Sequence, residues 1–182
     1  MRWERLFDDL EARLAAEEDV ALDAEVADRT RRERALVGLH ERLGASRHTG
    51  SLVVSIAGLG AVTAAVADVG ADWVLLTLTG DRAALVPFHA LRSLGGLGGR
   101  VGPASPVARG FPLGAALRAI SRDRAVVTVV TLEGVRLVGT VDAVGADALD
   151  LAEHAADLPR RAEHVTGHTT VPMTAIGAVL RG

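Results

Sequence analysis

The chain writes one stretch twice. Residues 62–76 read Val-Thr-Ala-Ala-Val-Ala-Asp-Val-Gly-Ala-Asp-Trp-Val-Leu-Leu, and 75 positions later residues 137–151 read Leu-Val-Gly-Thr-Val-Asp-Ala-Val-Gly-Ala-Asp-Ala-Leu-Asp-Leu. Val-Gly-Ala-Asp is common to both, at residues 69–72 and 144–147. A second match, Val86-Pro87-Phe88 against Val171-Pro172-Met173, falls at a spacing of 85, so the second copy holds ten extra residues between Leu151 and Val171. Self-similarity at a fixed period implies two copies of one supersecondary unit. Related segments are then expected to share one local structure.

That expectation decides how residues 49–67 are read. They are nineteen residues without a charge, long enough to cross a membrane as a helix. Their counterpart, residues 125–142, carries Glu133, Arg136 and Asp142 and cannot sit in lipid. Both segments are therefore predicted to be strands. In the first copy, strands are expected at 52–56, 61–69, 73–78, 84–86 and 91–94. In the second, a short helix at 113–121 precedes strands at 126–131, 135–144 and 148–152, a single helical turn at 174–176 and a last strand at 177–180. The Gly- and Pro-rich residues 95–112 read as a linker. Gly95-Gly96-Leu97-Gly98-Gly99-Arg100 lacks the Lys-Ser/Thr pair and the following helix of a phosphate loop.

Residues 2–43 have no Pro and a helix-forming composition. Trp3, Phe7, Leu10 and Leu14 fall at a/d spacing. Glu17, Ala21, Ala24 and Asp28 would continue that seam and do not, so two helices broken near residues 17–23 are predicted. The second, about 31–43, places Leu36, Leu39, His40 and Leu43 on one face and stops at Gly44. Two aromatic residues in the first helix make Trp3, Phe7, Leu10 and Leu14 the candidate docking face for a protein partner or a second copy.

Apolar residues make up 49% of the 182, ample for a core. Lys, Asn, Gln, Tyr and Cys are absent, a skew that fits a GC-rich bacterial genome and makes Arg usage weak evidence for phosphate recognition. Without Cys there are no disulfides, thiolate metal sites or cysteine nucleophiles. The acidic start Met-Arg-Trp-Glu-Arg-Leu-Phe-Asp-Asp lacks the apolar core of a signal peptide, so a cytoplasmic protein is expected. The net charge of -3 is uneven: residues 1–44 hold 8 Arg against 12 acidic residues, residues 45–111 hold 5 against 3, and residues 112–182 hold 7 against 8. No segment forms a basic platform for nucleic acid.

A helix followed by five short strands, a bent second strand, a Gly-Ala-Asp turn and a Val-Pro step into one helical turn resembles the Sm-like, SH3-like class of small β-barrels. Gly139, Val141 and the alternating Leu149 and Leu151 are similar to the first signature of that class. The resemblance covers residues 31–94 and 113–180. It implies an α+β protein: an acidic helical arm at residues 1–30, then two tandem five-stranded barrels at 31–94 and 113–182, each led by a short helix and joined by the linker at 95–112. The uridine-binding residues of the class are missing. Val144 and Gly145 stand at the bend, no Asn exists, and Met173-Thr174-Ala175 replaces the basic pair.

No nucleophile, paired carboxylates or base-orienting group suggests catalysis, and no cofactor, membrane contact or small-molecule substrate is expected. Asp72 and Asp147 recur because turns favour Asp. His154, His164 and His168 with Glu153 and Asp157 offer metal-ligand chemistry, but Thr166 and Gly167 deny them a helical spacing, and a solvated loop is the expectation. The sequence thus predicts a non-enzymatic interaction or regulatory module acting through its arm and barrel edges on protein partners or a second copy. The alternative is a nucleic-acid binder using Arg160 and Arg161.

Overall fold

A computed structural model describes residues 22, 25–32, 35–47, 49–99 and 110–181. The chain divides into two units, Met1–Gly38 and Leu39–Gly182. In the first, residues 25–32 are helical and, apart from half-buried Thr30, exposed, with Asp28 paired to Arg31 and, at 3.8 Å, to Arg32. Helix breaks at 36–38, where Gly38 stands, so the single helix expected at 31–43 does not form, and Leu36 is 87% exposed.

The second unit is one antiparallel sheet of ten strands. Helix α1 (Leu39–Ala45) precedes β1 (Ser51–Ile56), β2 (Gly60–Val69), β3 (Trp73–Leu78), β4 (Ala83–Pro87) and β5 (Leu91–Gly95). Helix α2 (Leu113–Asp123) precedes β6 (Val126–Thr131), β7 (Arg136–Val144), β8 (Ala148–Glu153), β9 (Gly167–Pro172) and β10 (Ile176–Arg181). Their order across the sheet is β5-β1-β2-β3-β4-β10-β6-β7-β8-β9. The uncharged residues 49–67 are thus mostly two paired strands, and no helix among the described residues is long and apolar enough to cross a membrane.

Two closed barrels are not what forms. Closure would require β4 to return to β5 and β9 to return to β10; instead β4 pairs with β10 through Val179 and Leu85, Leu180 and Ala84, Arg181 and Ala83. The expected α+β arrangement of arm and tandem Sm-like barrels is therefore replaced by a mostly-β protein with one open sheet. The physical reason lies in the two strands that meet. Ala84, Leu85, Val86 and Pro87 of β4 are all buried, as are Ile176 to Val179 of β10, so each edge removes the other's apolar side chains and backbone groups from water.

The core runs across this seam. One cluster joins Val54, Val66, Leu76 and Val86 to Val130 and Ala178, and the other joins Val129, Leu149 and Leu151 to Trp73 and Leu85. Glycine lets the backbones approach: a Cβ on Gly177 would stand 2.5 Å from the Ala57 carbonyl oxygen, and one on Gly58, whose φ is +73°, would stand 1.9 Å from that of Thr131. Bulges bend the long strands at matching places, Ala67 in β2 and Asp142 in β7. Leu43 of α1 is buried where the helix meets β2, and Leu113 and Leu117 bury the α2 face that meets β7.

Candidate interaction surfaces

Antiparallel pairing leaves each outermost strand with one row of backbone groups outside the ladder, and among the described residues those strands are β5 and β9. β5 holds β1 through Leu91 and Ile56, Ser93 and Ser55, Leu94 and Val54, Gly95 and Val53, with Arg92 bulged out. β10 holds β6 through Ile176 and Thr131, Ala178 and Val130, Val179 and Val129, Leu180 and Thr128, with Gly177 bulged out. The two registers are one pattern. The same holds for β9 on β8 and β4 on β3, where Thr170 sits opposite Asp150 as Leu85 sits opposite Leu75. The free strands are thus the counterparts of the two that pair with each other inside the chain.

Their side chains differ from those of the paired strands. Arg92 and Ser93 on β5, and His168 and Thr170 on β9, are exposed, and Thr170 donates its hydroxyl to Asp150 Oδ1 at 2.7 Å. Polar edge residues are a common way to restrain strand addition without abolishing it.

Beside the seam lies an apolar groove of about 430 Å3, lined by Val69, Trp73, Leu75, Leu85, Phe111 and Ile120 among others. Trp73 Nε1–H and the Ala71 N–H both donate to the Phe111 carbonyl, each at 2.9 Å, and the Leu113 N–H donates to Asp72 Oδ1 at 2.7 Å. Asp72 therefore caps the start of α2 from 41 residues away, where Pro112 offers no side-chain cap. The counterpart turn of the second copy lacks the indole donor: Trp73 corresponds to Ala148, which has no side-chain N–H to give.

The sequence-predicted sites distribute unevenly. Trp3, Phe7, Leu10 and Leu14 lie outside the described residues. Arg160 is committed: its Nε and Nη2 hold Asp142 Oδ1 and Oδ2, each at 2.5 Å, with Arg124 at 3.6 Å from the same carboxylate. Hydrogen bonding to Arg160, with the nearby charges of Arg160, Arg124 and His168, outweighs burial and holds the Asp142 carboxyl below its ordinary range. Arg161 stands 3.8 Å from Glu163 on the exposed loop, so the two arginines do not act as a pair.

His154 is buried, with Nε2 at 2.9 Å from Thr140 Oγ1 and Nδ1 at 2.9 Å from the Ala155 carbonyl. His164 Nδ1 is 2.9 Å from the Pro159 carbonyl. Among the described residues no three His, Cys, Asp or Glu side chains gather closely enough to hold a metal. His40 meets Phe88 edge-on at 6.4 Å, and both its ring nitrogens are buried without a partner.

Sequence reasoning expected contacts through barrel edges but did not identify β5 and β9 as the outer strands of one open sheet, because period-2 patterning tells which face of a strand is buried but not which neighbour it takes. It also missed the groove, although Trp73 against Ala148 in otherwise matching turns was a usable signal. Compared with known protein families, with curated proteins and with solved structures, the chain matches none of them, so the resemblance to Sm-like proteins has no support beyond the residues quoted for it.

Proposed function

We propose that the protein is a non-enzymatic interaction module of the cytoplasm that takes protein partners by strand addition at β5 and β9. One observation carries this reading: those two strands are counterparts of β10 and β4, which already pair with each other. The partner that suits both edges is a second copy. Leu85 and Thr170 are 85 positions apart, as are Val179 and Leu94, so transferring the internal register sets Thr170 of one copy opposite Leu94 of the next. Backbone hydrogen bonds would supply most of the affinity, since Thr170 replaces a buried leucine. Association is accordingly expected to be reversible and concentration-dependent. The N-terminal arm, with Trp3, Phe7, Leu10 and Leu14, is a second contact in this proposal.

Light scattering across a concentration series tests it. The 18.9 kDa chain should gain mass as concentration rises. Proline is tolerated on an edge strand only where the N–H faces outward, so of Thr169→Pro and Thr170→Pro one should keep the native circular dichroism spectrum and lose self-association. A mass fixed at one chain, or assembly unaffected by the folded proline variant, overturns strand addition. Removing residues 1–16 tests the arm separately: unchanged assembly and partners would exclude it.

A further inference from the structure

Three arginines from distant parts of the chain meet at one groove of about 410 Å3. Arg82 follows the tight turn after β3, where Asp81 has φ 56°, and donates Nε–H to the Thr79 carbonyl at 3.4 Å. Arg136 opens β7, and Arg181 ends β10. All three are exposed, and buried Leu78 and Val127 with half-buried Leu180 form the apolar wall. One carboxylate answers them: Asp123 Oδ2 is 2.9 Å from Arg181 Nη1, while Arg82 and Arg136 have no ion pair among the described residues.

Gathering like charges costs energy on any protein. On a chain of net charge -3 the concentration of guanidinium groups at one groove is contrary to the overall balance; Asp123 offsets it at Arg181, and an anion bound in the groove would offset it at Arg82 and Arg136. An apolar wall strengthens each such interaction by lowering the local dielectric. Guanidinium forks match oxyanions that present several oxygens, and three separate forks suit a ligand carrying several such groups.

We propose that the groove binds a multivalent phosphate, either the phosphodiester backbone of a single-stranded nucleic acid or a free polyphosphate. This surface is separate from β5 and β9, and the proposal stands or falls without strand addition. Arg160 and Arg161 take no part.

The test titrates the full chain against a fluorescein-labelled oligouridylate by anisotropy and against tripolyphosphate by calorimetry. The wild type should bind at least one probe at low salt and weaken as salt rises, the log-log slope for the oligonucleotide being about -2 for three phosphates. Arg82→Glu with Arg136→Glu should weaken binding by roughly tenfold or more and flatten the slope by about 0.7 for each arginine removed. Arg118→Glu with Arg122→Glu, a matched charge change at exposed positions of α2, should retain the wild-type affinity. Displacement of the oligonucleotide by tripolyphosphate identifies the free phosphate as a sufficient ligand; tight oligonucleotide binding that tripolyphosphate does not reverse identifies the backbone. The proposal is overturned by no binding of either probe, by equal loss in both double variants, or by poly-glutamate competing as well as tripolyphosphate, which would make the groove a carboxylate site.

Discussion

The seam between β4 and β10 and the free edges at β5 and β9 are built from counterpart strands and filled with opposite chemistry. At the seam Leu85 faces across to Val179, Gly177 sits against the Ala57 carbonyl, and Trp73 ties the turn after β2 to the start of α2. At the edges the corresponding residues are Thr170, Leu94, Arg92 and Ala148. A common backbone pattern makes both regions capable of pairing, and side chains decide which is permanent. Apolar side chains and a glycine close the seam; a hydroxyl, an arginine and a missing indole leave the edges open.

The largest effect is expected where the seam has least room. Gly177→Ala places a Cβ 2.5 Å from one backbone oxygen and 3.0 Å from another, neither of which can move like a side chain. A loss of about 3 kcal/mol or more is expected in urea unfolding, whereas Arg92→Gly at the corresponding edge position should change stability by less than about 1 kcal/mol. Equal costs would remove the distinction between seam and edge.

Exchanging side chains sharpens the same contrast. Leu85→Thr makes the seam resemble the edge and should cost about 2 kcal/mol, by lost burial and a hydroxyl without a partner. Thr170→Leu combined with Arg92→Gly makes the edges resemble the seam, and light scattering should show self-association at lower concentration than the wild type. An unchanged profile would show that edge chemistry is not what limits pairing. A smaller effect, about 1 kcal/mol, is expected for Trp73→Phe, which keeps most of the ring packing and removes the hydrogen bond to Phe111. Hydrogen exchange should quicken near residues 110–113.

The smallest effect is a pH dependence at the bulge of the second copy. Asp142 has its folded pKa lowered from 3.8, so it adds stability above the unfolded value that is lost as pH falls through the folded one. Asp142→Asn should flatten the fall in urea midpoint below about pH 4. The first copy has Ala67 at this bulge, and its substitution by Ser should leave the acid limb unchanged.

Much of the local structure was legible. Val-Gly-Ala-Asp marks the turn before β3 and again before β8, and the charges at Glu133, Arg136 and Asp142 rule out a lipid span for residues 49–67 by analogy. The break at 36–38 was less so, since Leu36 keeps the apolar spacing of Leu39 and Leu43 and a lone Gly38 is a weak stop inside a helical composition. Closure was not legible at all. Ala84, Leu85 and Val86 announce a buried strand, yet β5 and β10 would satisfy that demand equally in a pattern of alternation; the two candidates differ at Gly177 and its counterpart Arg92, 85 positions apart, and the close approach that the glycine permits is not a local signal. The arginine groove was equally hidden, because Arg82, Arg136 and Arg181 are separated by 54 and 45 positions and no periodicity links them.

The two outer strands are not alike: β5 corresponds to β10 and β9 to β4. On the proposed strand addition an edge of one kind would answer to the other kind, so two molecules joined by the internal register would not be related by a twofold axis through that contact. Each junction leaves one unmatched end at either extremity, and growth stops only when a fixed rotation per subunit brings the ends together. Polarity of assembly would then be inherited from the direction in which a single polypeptide was laid down.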